Sequence, residues 1–170
     1  MNIDIKYFSK DYPKLEKIED GDWIDLRVDN IKNYSYTTGY EMENSTVKAI
    51  DTLFSIDEEL TYEKGDVIKF GLGVAMKLPK GYEAIVVPRS STFKHWGLMQ
   101  TNSIGIIDNS YCGDEDEWQI EFLATRDGVI RRFDRVCQFR ILKNQPSLAF
   151  NETDELDDIN RGGFGSTGRA

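Results

Sequence analysis

Apolar residues along the chain recur at every second position in short runs. "NIDIKYF" alternates Ile3, Ile5 and Tyr7, and "RVCQFRIL" alternates Cys137, Phe139 and Ile141. That is the strand period, because successive side chains of an extended chain point to opposite faces. "VIKFGLGVAMKL" is a denser apolar run ahead of the turn "PKGY", and "YEAIVV" follows it. "TRDGVI" sets Asp127-Gly128 between two runs, a strong short hairpin signal. Only "STVKAIDTLFSIDEEL" hints at helical spacing, through Ile50, Leu53 and Phe54. Strands this short and this regularly punctuated predict an all-β sandwich or jelly roll.

No internal repeat interrupts the pattern. The segment from Asp29 to about Lys64 is polar and irregular and reads as an insertion between strands. After Phe150 the chain turns acidic in "NETDELDD" and then glycine-rich in "INRGGFGSTGRA". Residues 1–150 therefore read as one β domain, and 151–170 as a solvated linker with a mobile arm.

Composition narrows the function. A chain of 170 residues with 39% hydrophobic and 12% aromatic content can bury a core. Its net charge of −9 argues against a broad grip on nucleic acid, which needs a basic face. A small anionic substrate stays open, because a few placed Arg and Lys can bind phosphate inside an acidic protein. There is no apolar run of ~18 residues, so no membrane span is expected. The start "MNIDIKYFSKDYPK" carries acids and no apolar stretch, unlike a secretory signal. Cys112 and Cys137 make no metal-ligand spacing with His95, and read as reduced thiols of a cytoplasmic protein.

Five stretches carry candidate chemistry, and each also has an ordinary structural reading. "GIIDNSY" (Gly105 to Tyr111) places Asp108 at a strand end, either as turn chemistry or as an acid beside an aromatic platform. "VPRSST" puts Arg89 next to Ser90 and Ser91, suited to phosphate oxygens or to capping a helix. "GDWIDLRV" holds Asp25 inside an apolar run, where it needs a partner, solvent or a nearby metal; a salt bridge with Arg27 would suffice. "FDRVCQF" holds Asp134, Arg135 and Gln138, read locally as a structural ion pair. "RGGFGSTG" follows no strand, opens no helix and lacks a lysine, so it is not a P-loop. A flexible arm with an arginine, an aromatic and two hydroxyls suits closure over a nucleotide.

Together and in this order, the stretches resemble the five motifs of the trimeric deoxyuridine triphosphate nucleotidohydrolases, the dUTPases. They match at "GDWIDLR", "PRSST", "TNSIGIIDNSYCGD", "DRVCQF" and "RGGFGSTG", in wording most like the enzymes of Bacillus and its phages. The resemblance implies a jelly-roll β subunit, a homotrimer with active sites at subunit interfaces, and hydrolysis of dUTP to dUMP and pyrophosphate. It implies Mg²⁺ held by substrate phosphates and by waters near Asp25, with no direct protein ligand. Asp108 would activate the attacking water, and Tyr111 would pack under the deoxyribose. The turn from Asn102 through Gly105 to Ile107 would be a hairpin reading uracil through backbone groups. Arg89, Ser90, Ser91 and Gln138 would contact phosphates. Arg161, Phe164, Gly165, Ser166 and Thr167 would come from the arm, with Phe164 stacking on the base.

The chain departs from the family pattern in two places. Ser91-Thr92 stands where most members carry Gly-Leu, and Phe164 follows Arg161 more closely than is common. Some Bacillus-type relatives supply the stacking aromatic from the loop after the third motif, which makes Trp118 the rival of Phe164. "RSST" followed by "WGL", with Glu121 in "IEF", also resembles the dCTP deaminases of the same fold, which is the alternative enzyme. A nucleotide-sensing regulator that docks a protein partner through the 29–64 insertion is the non-enzymatic alternative.

Overall fold

The computed structural model describes residues 1–35, 59–156 and 159. Within them lie twelve strands, numbered β1 to β12 along the chain, and one short helix. Two four-stranded sheets form the body. The first has the order β3 (Asn30–Ser35), β5 (Val67–Gly71), β10 (Gln119–Ala124), β8 (Leu98–Gln100). The second has the order β2 (Ile24–Arg27), β12 (Arg135–Lys143), β7 (Tyr82–Pro88), β9 (Gly105–Ile107). Two strand pairs complete the fold: β1 (Asp4–Tyr7) with β6 (Val74–Lys77), and β4 (Glu59–Tyr62) with β11 (Gly128–Arg131). All these pairings are antiparallel, as a jelly-roll-like all-β subunit requires.

The alternation read from the sequence is what packs the core. Phe70 of β5 and Phe122 of β10 are diagonal neighbours across the strand pair, with ring centroids 6.3 Å apart. Trp118, immediately before β10, meets Phe139 of β12 edge-on at 5.2 Å and so ties one sheet to the other. On β12 a register shift between Arg135 and Cys137 breaks the strict period, and both Val136 and Cys137 turn inward. Burial raises the Cys137 thiol pKa well above the ordinary thiol range. Neither cysteine is in a disulfide. Among the described residues no helix is long and apolar enough to cross a membrane.

Two expectations change. Asp127-Gly128 does not close a hairpin: β10 pairs with β5 and β8, whereas β11 pairs with β4. The dipeptide instead carries the chain from the first sheet to the β4–β11 pair. Asp127 accepts the Lys64 N–H at 2.8 Å, and Gly128 leaves room for the Tyr62 ring, whose hydroxyl would lie 2.5 Å from a Cβ there. Local turn chemistry cannot distinguish that crossing from a hairpin. Secondly, the polar segment 29–64 is not irregular at its ends, since β3 and β4 occupy them. Its middle, 36–58, with the helical spacing at Ile50, Leu53 and Phe54, lies outside the described residues.

Candidate active site

The second sheet carries most of the candidate chemistry. On β12, Gln138 stands opposite Asp25 of β2 on one side and Val87 of β7 on the other. Arg89 follows directly after β7. This register brings three sequence motifs to one end of the sheet. Arg89 Nε lies 2.7 Å from Asp25 Oδ1, and Arg135 Nη1 lies 3.1 Å from Asp25 Oδ2. The carboxylate is thus held between two guanidinium groups. Arg27 is not its partner; Arg27 Nη1 donates to the Phe133 carbonyl at 2.8 Å. Nor do Asp134 and Arg135 pair, because Asp134 accepts the Arg131 N–H at 2.9 Å. Neighbours along one strand are poor guides to partners across strands.

Asp25, Arg89, Arg135 and Gln138 line a cleft of about 430 Å³. Its ionisable lining includes Lys14, Arg27, Arg89 and Arg135 against Glu16, Asp22 and Asp25. Four cations face three anions, so the cleft is locally cationic in a protein of net charge −9. Arg135 is the member that sequence reasoning left out of the site, and the one signal for it was its place three residues before Gln138.

The serines beside Arg89 divide their work with Thr92. Ser91 occupies the N-cap of the helix α1 (Thr92–Trp96), but its hydroxyl makes no capping bond. Thr92 is fully buried and its hydroxyl donates to the Val136 carbonyl at 2.7 Å, pinning α1 to β12. Ser90 stays exposed.

The third motif folds differently from the expected hairpin. β8 and β9 lie at the edges of different sheets, so residues 101–104 form a corner joining the two. The corner is tight: Ile104 N–H donates to the Asn102 carbonyl at 2.6 Å, and Ser103 takes a positive φ of 63°. Asn102 and Gly105 line a cleft of about 270 Å³ together with Gln100, Thr101 and Glu121. Ile107, the last residue of β9, pairs with Ala84.

Asp108 follows β9 directly and is exposed. Its Oδ1 accepts the Ser110 hydroxyl at 2.5 Å and the Ser110 N–H at 2.6 Å. Those bonds, the hydroxyl first, hold its carboxyl below the usual carboxylate range. The turn that Ser110 closes is therefore also what fixes the Asp108 carboxylate. Tyr111 is about one-third exposed, and its hydroxyl donates to the Glu117 carbonyl at 3.1 Å. Burial raises the Tyr111 pKa, and the charges of Asp116 and Glu117 add to the effect. Glu117 is itself fixed: its carboxylate accepts from Asn30 Nδ2 at 2.9 Å and Gly73 N at 2.8 Å, and pairs with Lys32 at 2.6 Å. Trp118 is fully buried against Phe139, so it belongs to the core and offers no ring to a base. Arg161, Phe164, Gly165, Ser166 and Thr167 lie outside the described residues.

Among the described residues of one chain, Asp108 and Arg89 do not come to one place. Ile107 pairs with Ala84, which sets Asp108 at the Glu83 end of β7. Arg89 lies six residues further along, about 20 Å at the rise of a strand. Among the described residues no cluster of three or more His, Cys, Asp or Glu could hold a metal ion.

The sequence model of the dUTPase family matches residues 53–168, more than half of the chain. The chain belongs to the dUTPase family. A SPbeta prophage-derived deoxyuridine 5'-triphosphate nucleotidohydrolase of Bacillus subtilis is 43% identical over 168 residues, covering 99% of each chain. The deoxyuridine 5'-triphosphate nucleotidohydrolase of Escherichia phage T5 is 35% identical over 106 residues, covering 61% of this chain and 70% of its own. Among solved structures, a mutant dUTPase of Staphylococcus bacteriophage 80alpha with dUpNHpp superposes with a TM-score of 0.67 at 15% identity, covering 99% of both chains. A mutant dUTPase from phage phi11 of S. aureus, described with a structural Mg(II) ion, gives 0.65 at 13% identity, covering 93% of this chain and 100% of its own. These likenesses place the two-sheet body in the dUTPase fold and lend nothing to the dCTP deaminase alternative.

Proposed function

We propose that the chain hydrolyses dUTP to dUMP and pyrophosphate at a site shared between copies of itself. The observation that carries the phosphate half is the Arg89–Asp25–Arg135 cluster beside Gln138 in a locally cationic cleft. Guanidinium groups bind phosphate oxygens through paired hydrogen bonds, and the carboxylate keeps them ordered until the substrate arrives. The Ser90 and Ser91 hydroxyls beside the cleft add neutral donors for the same oxygens. The separation of Asp108 from Arg89 along β7 supports a second copy supplying one of the two, in keeping with a homotrimer.

At such a shared site Asp108 accepts a proton from a water molecule aimed at the α-phosphorus. The new bond joins the water oxygen to that phosphorus, the bond to the bridging oxygen breaks, and pyrophosphate leaves with the electron pair. Alignment and charge neutralisation dominate such a reaction, so a single carboxylate suffices as base. The Asn102–Ile107 corner faces the base, and Tyr111 lies against the sugar, where a 2′-hydroxyl would collide with its ring. The arm closes the site, with Arg161, Gly165, Ser166 and Thr167 on phosphates and Phe164 on uracil. The family match supports that role because it runs through residue 168.

Mg²⁺ fits this site through water. Both Asp25 oxygens are already engaged by arginines, yet a carboxylate has further lone pairs, and the residue is partly exposed. Asp25 would hold waters of an ion bound to the triphosphate, and that ion would neutralise charge developing on the phosphate oxygens.

The test is hydrolysis of dUTP in ¹⁸O-labelled water. Label recovered in dUMP, with pyrophosphate as the other product, supports attack at the α-phosphorus. Label in pyrophosphate, or release of inorganic phosphate, would falsify this reading.

A further inference from the structure

The corner between β8 and β9 contains an amide pair that the reaction scheme leaves unused. Gln100, the last residue of β8, is 7% exposed. Its Nε2 donates to Asn102 Oδ1 at 2.8 Å. Its own carbonyl oxygen is buried and has no hydrogen-bond partner. Asn102, by contrast, is exposed and lines the same cleft as Gly105. Gly105 keeps the space open: a Cβ there would stand 3.3 Å from Val86 Cβ and 3.5 Å from Gln100 Nε2.

An exposed carboxamide that nothing holds can turn over and present either its NH₂ or its oxygen. One face matches the carbonyl at position 4 of uracil, and the other matches the amino group of cytosine. Gln100 removes that choice. By donating to Asn102 Oδ1 it takes one of that oxygen's two lone pairs and fixes which way round the carboxamide sits, so that Nδ2 is the group free to reach the cleft. We infer that Gln100 is a positioning residue for base selection, locking the Asn102 carboxamide so that it donates to uracil and repels cytosine. The inference rests on the proposed function, in which the Asn102–Ile107 corner faces the base. The unpartnered carbonyl of Gln100 fits the same account, since a buried acceptor without a donor weakens the fold. A residue kept only for packing would be apolar at this place.

The experiment compares kcat/KM for dUTP and dCTP, by pyrophosphate release with full-length protein, in Gln100→Leu, Gln100→Glu and Asn102→Ala. Melting temperatures are followed by circular dichroism. Gln100→Leu is expected to melt at the same or a higher temperature, yet its preference for dUTP over dCTP should fall about 10-fold, the scale of one misdirected hydrogen bond. The loss on dUTP should appear in KM, because Gln100 acts on the base and not on the phosphates. Gln100→Glu can only accept, so it should turn Asn102 over and lower the preference further, with dCTP turnover rising. If Gln100→Leu does not fold, Gln100→Glu decides alone. Unchanged preference in the folded Gln100 variants, while Asn102→Ala loses it, overturns the inference. Unchanged preference in Asn102→Ala as well shows instead that the corner does not face the base, and the reading beneath it fails.

Discussion

Arg89 Nε and Asp25 Oδ1 stand 2.7 Å apart, each about one-quarter exposed, at the place where β7 hands the chain to α1. About three-quarters of each side chain is buried, yet removing Arg89 leaves no uncompensated carboxylate, because Arg135 still holds Asp25. The pair keeps the guanidinium ordered at the cleft. Arg89→Ala is therefore expected to melt within a few degrees of the parent and to lose about 10²-fold or more in kcat/KM for dUTP, since a charge-assisted phosphate contact disappears. A variant that unfolds, or one that keeps its activity, would contradict this division.

Asp108 gives a prediction with a sign. Its carboxyl titrates below the usual range because Ser110 donates to the ionised form. Lowering the folded pKa keeps Asp108 charged further into acid. Ser110→Ala removes the larger of the two bonds and should move the titration upward, toward the ordinary carboxylate range. ¹³C-detected NMR titration of the Asp108 carboxyl measures the shift directly. Asp108→Asn should lower kcat by about 10²-fold or more while dUTP still binds. Normal turnover there would remove Asp108 from the mechanism.

Tyr111 is held by the Glu117 carbonyl, and Glu117 is fixed by Asn30, Gly73 and Lys32. Tyr111→Ala should narrow the preference for dUTP over UTP, whereas Tyr111→Phe keeps the ring and should retain most of it. Equal preferences in the alanine variant and the parent would move sugar selection elsewhere.

Trp118 and Phe164 are separated by the kind of loss each causes. Trp118→Ala opens a cavity under Phe139, which typically costs about 3–5 kcal/mol of stability and lowers the melting temperature. Phe164→Ala should leave melting unchanged and lower kcat/KM about 10- to 100-fold, the range of a lost base–aromatic stack. Truncation after Ile159 should lose more, because Arg161 goes too. A fully active truncated protein would reduce the arm to a tail.

How far the sequence reaches is clear from individual residues. The alternation of Ile3, Ile5 and Tyr7, and of Cys137, Phe139 and Ile141, was enough to place β1 and β12, because burial on one face writes itself as a period of two. Asp127-Gly128 misled because a turn signal carries no information on which strand comes next. The partners of Asp25 were invisible for the same reason: Arg89 and Arg135 reach it through sheet register, across more than sixty positions of sequence. Trp118 stands in the loop after the third motif, where an aromatic could stack on a base, yet the backbone hydrogen bonds from Leu72 to Trp118 and from Trp118 to Val74 draw it into the core. Gln100 and Asn102 are two residues apart in sequence, but which of them is buried depends on the corner.

The register of β7 against β9 has a genetic consequence. In the proposed shared site Asp108 and Arg89 of one chain, about 20 Å apart along β7, serve different nucleotides, so lesions at the two positions strike different halves of each centre. Two dead proteins should therefore rescue one another. Co-expressed Asp108→Asn and Arg89→Ala chains, assembling at random, would recreate a complete pair at roughly a quarter of the interfaces. The same lesions placed together on one chain and mixed with the parent would show no such rescue. Instead, the altered chain would spoil centres that its partners could otherwise complete.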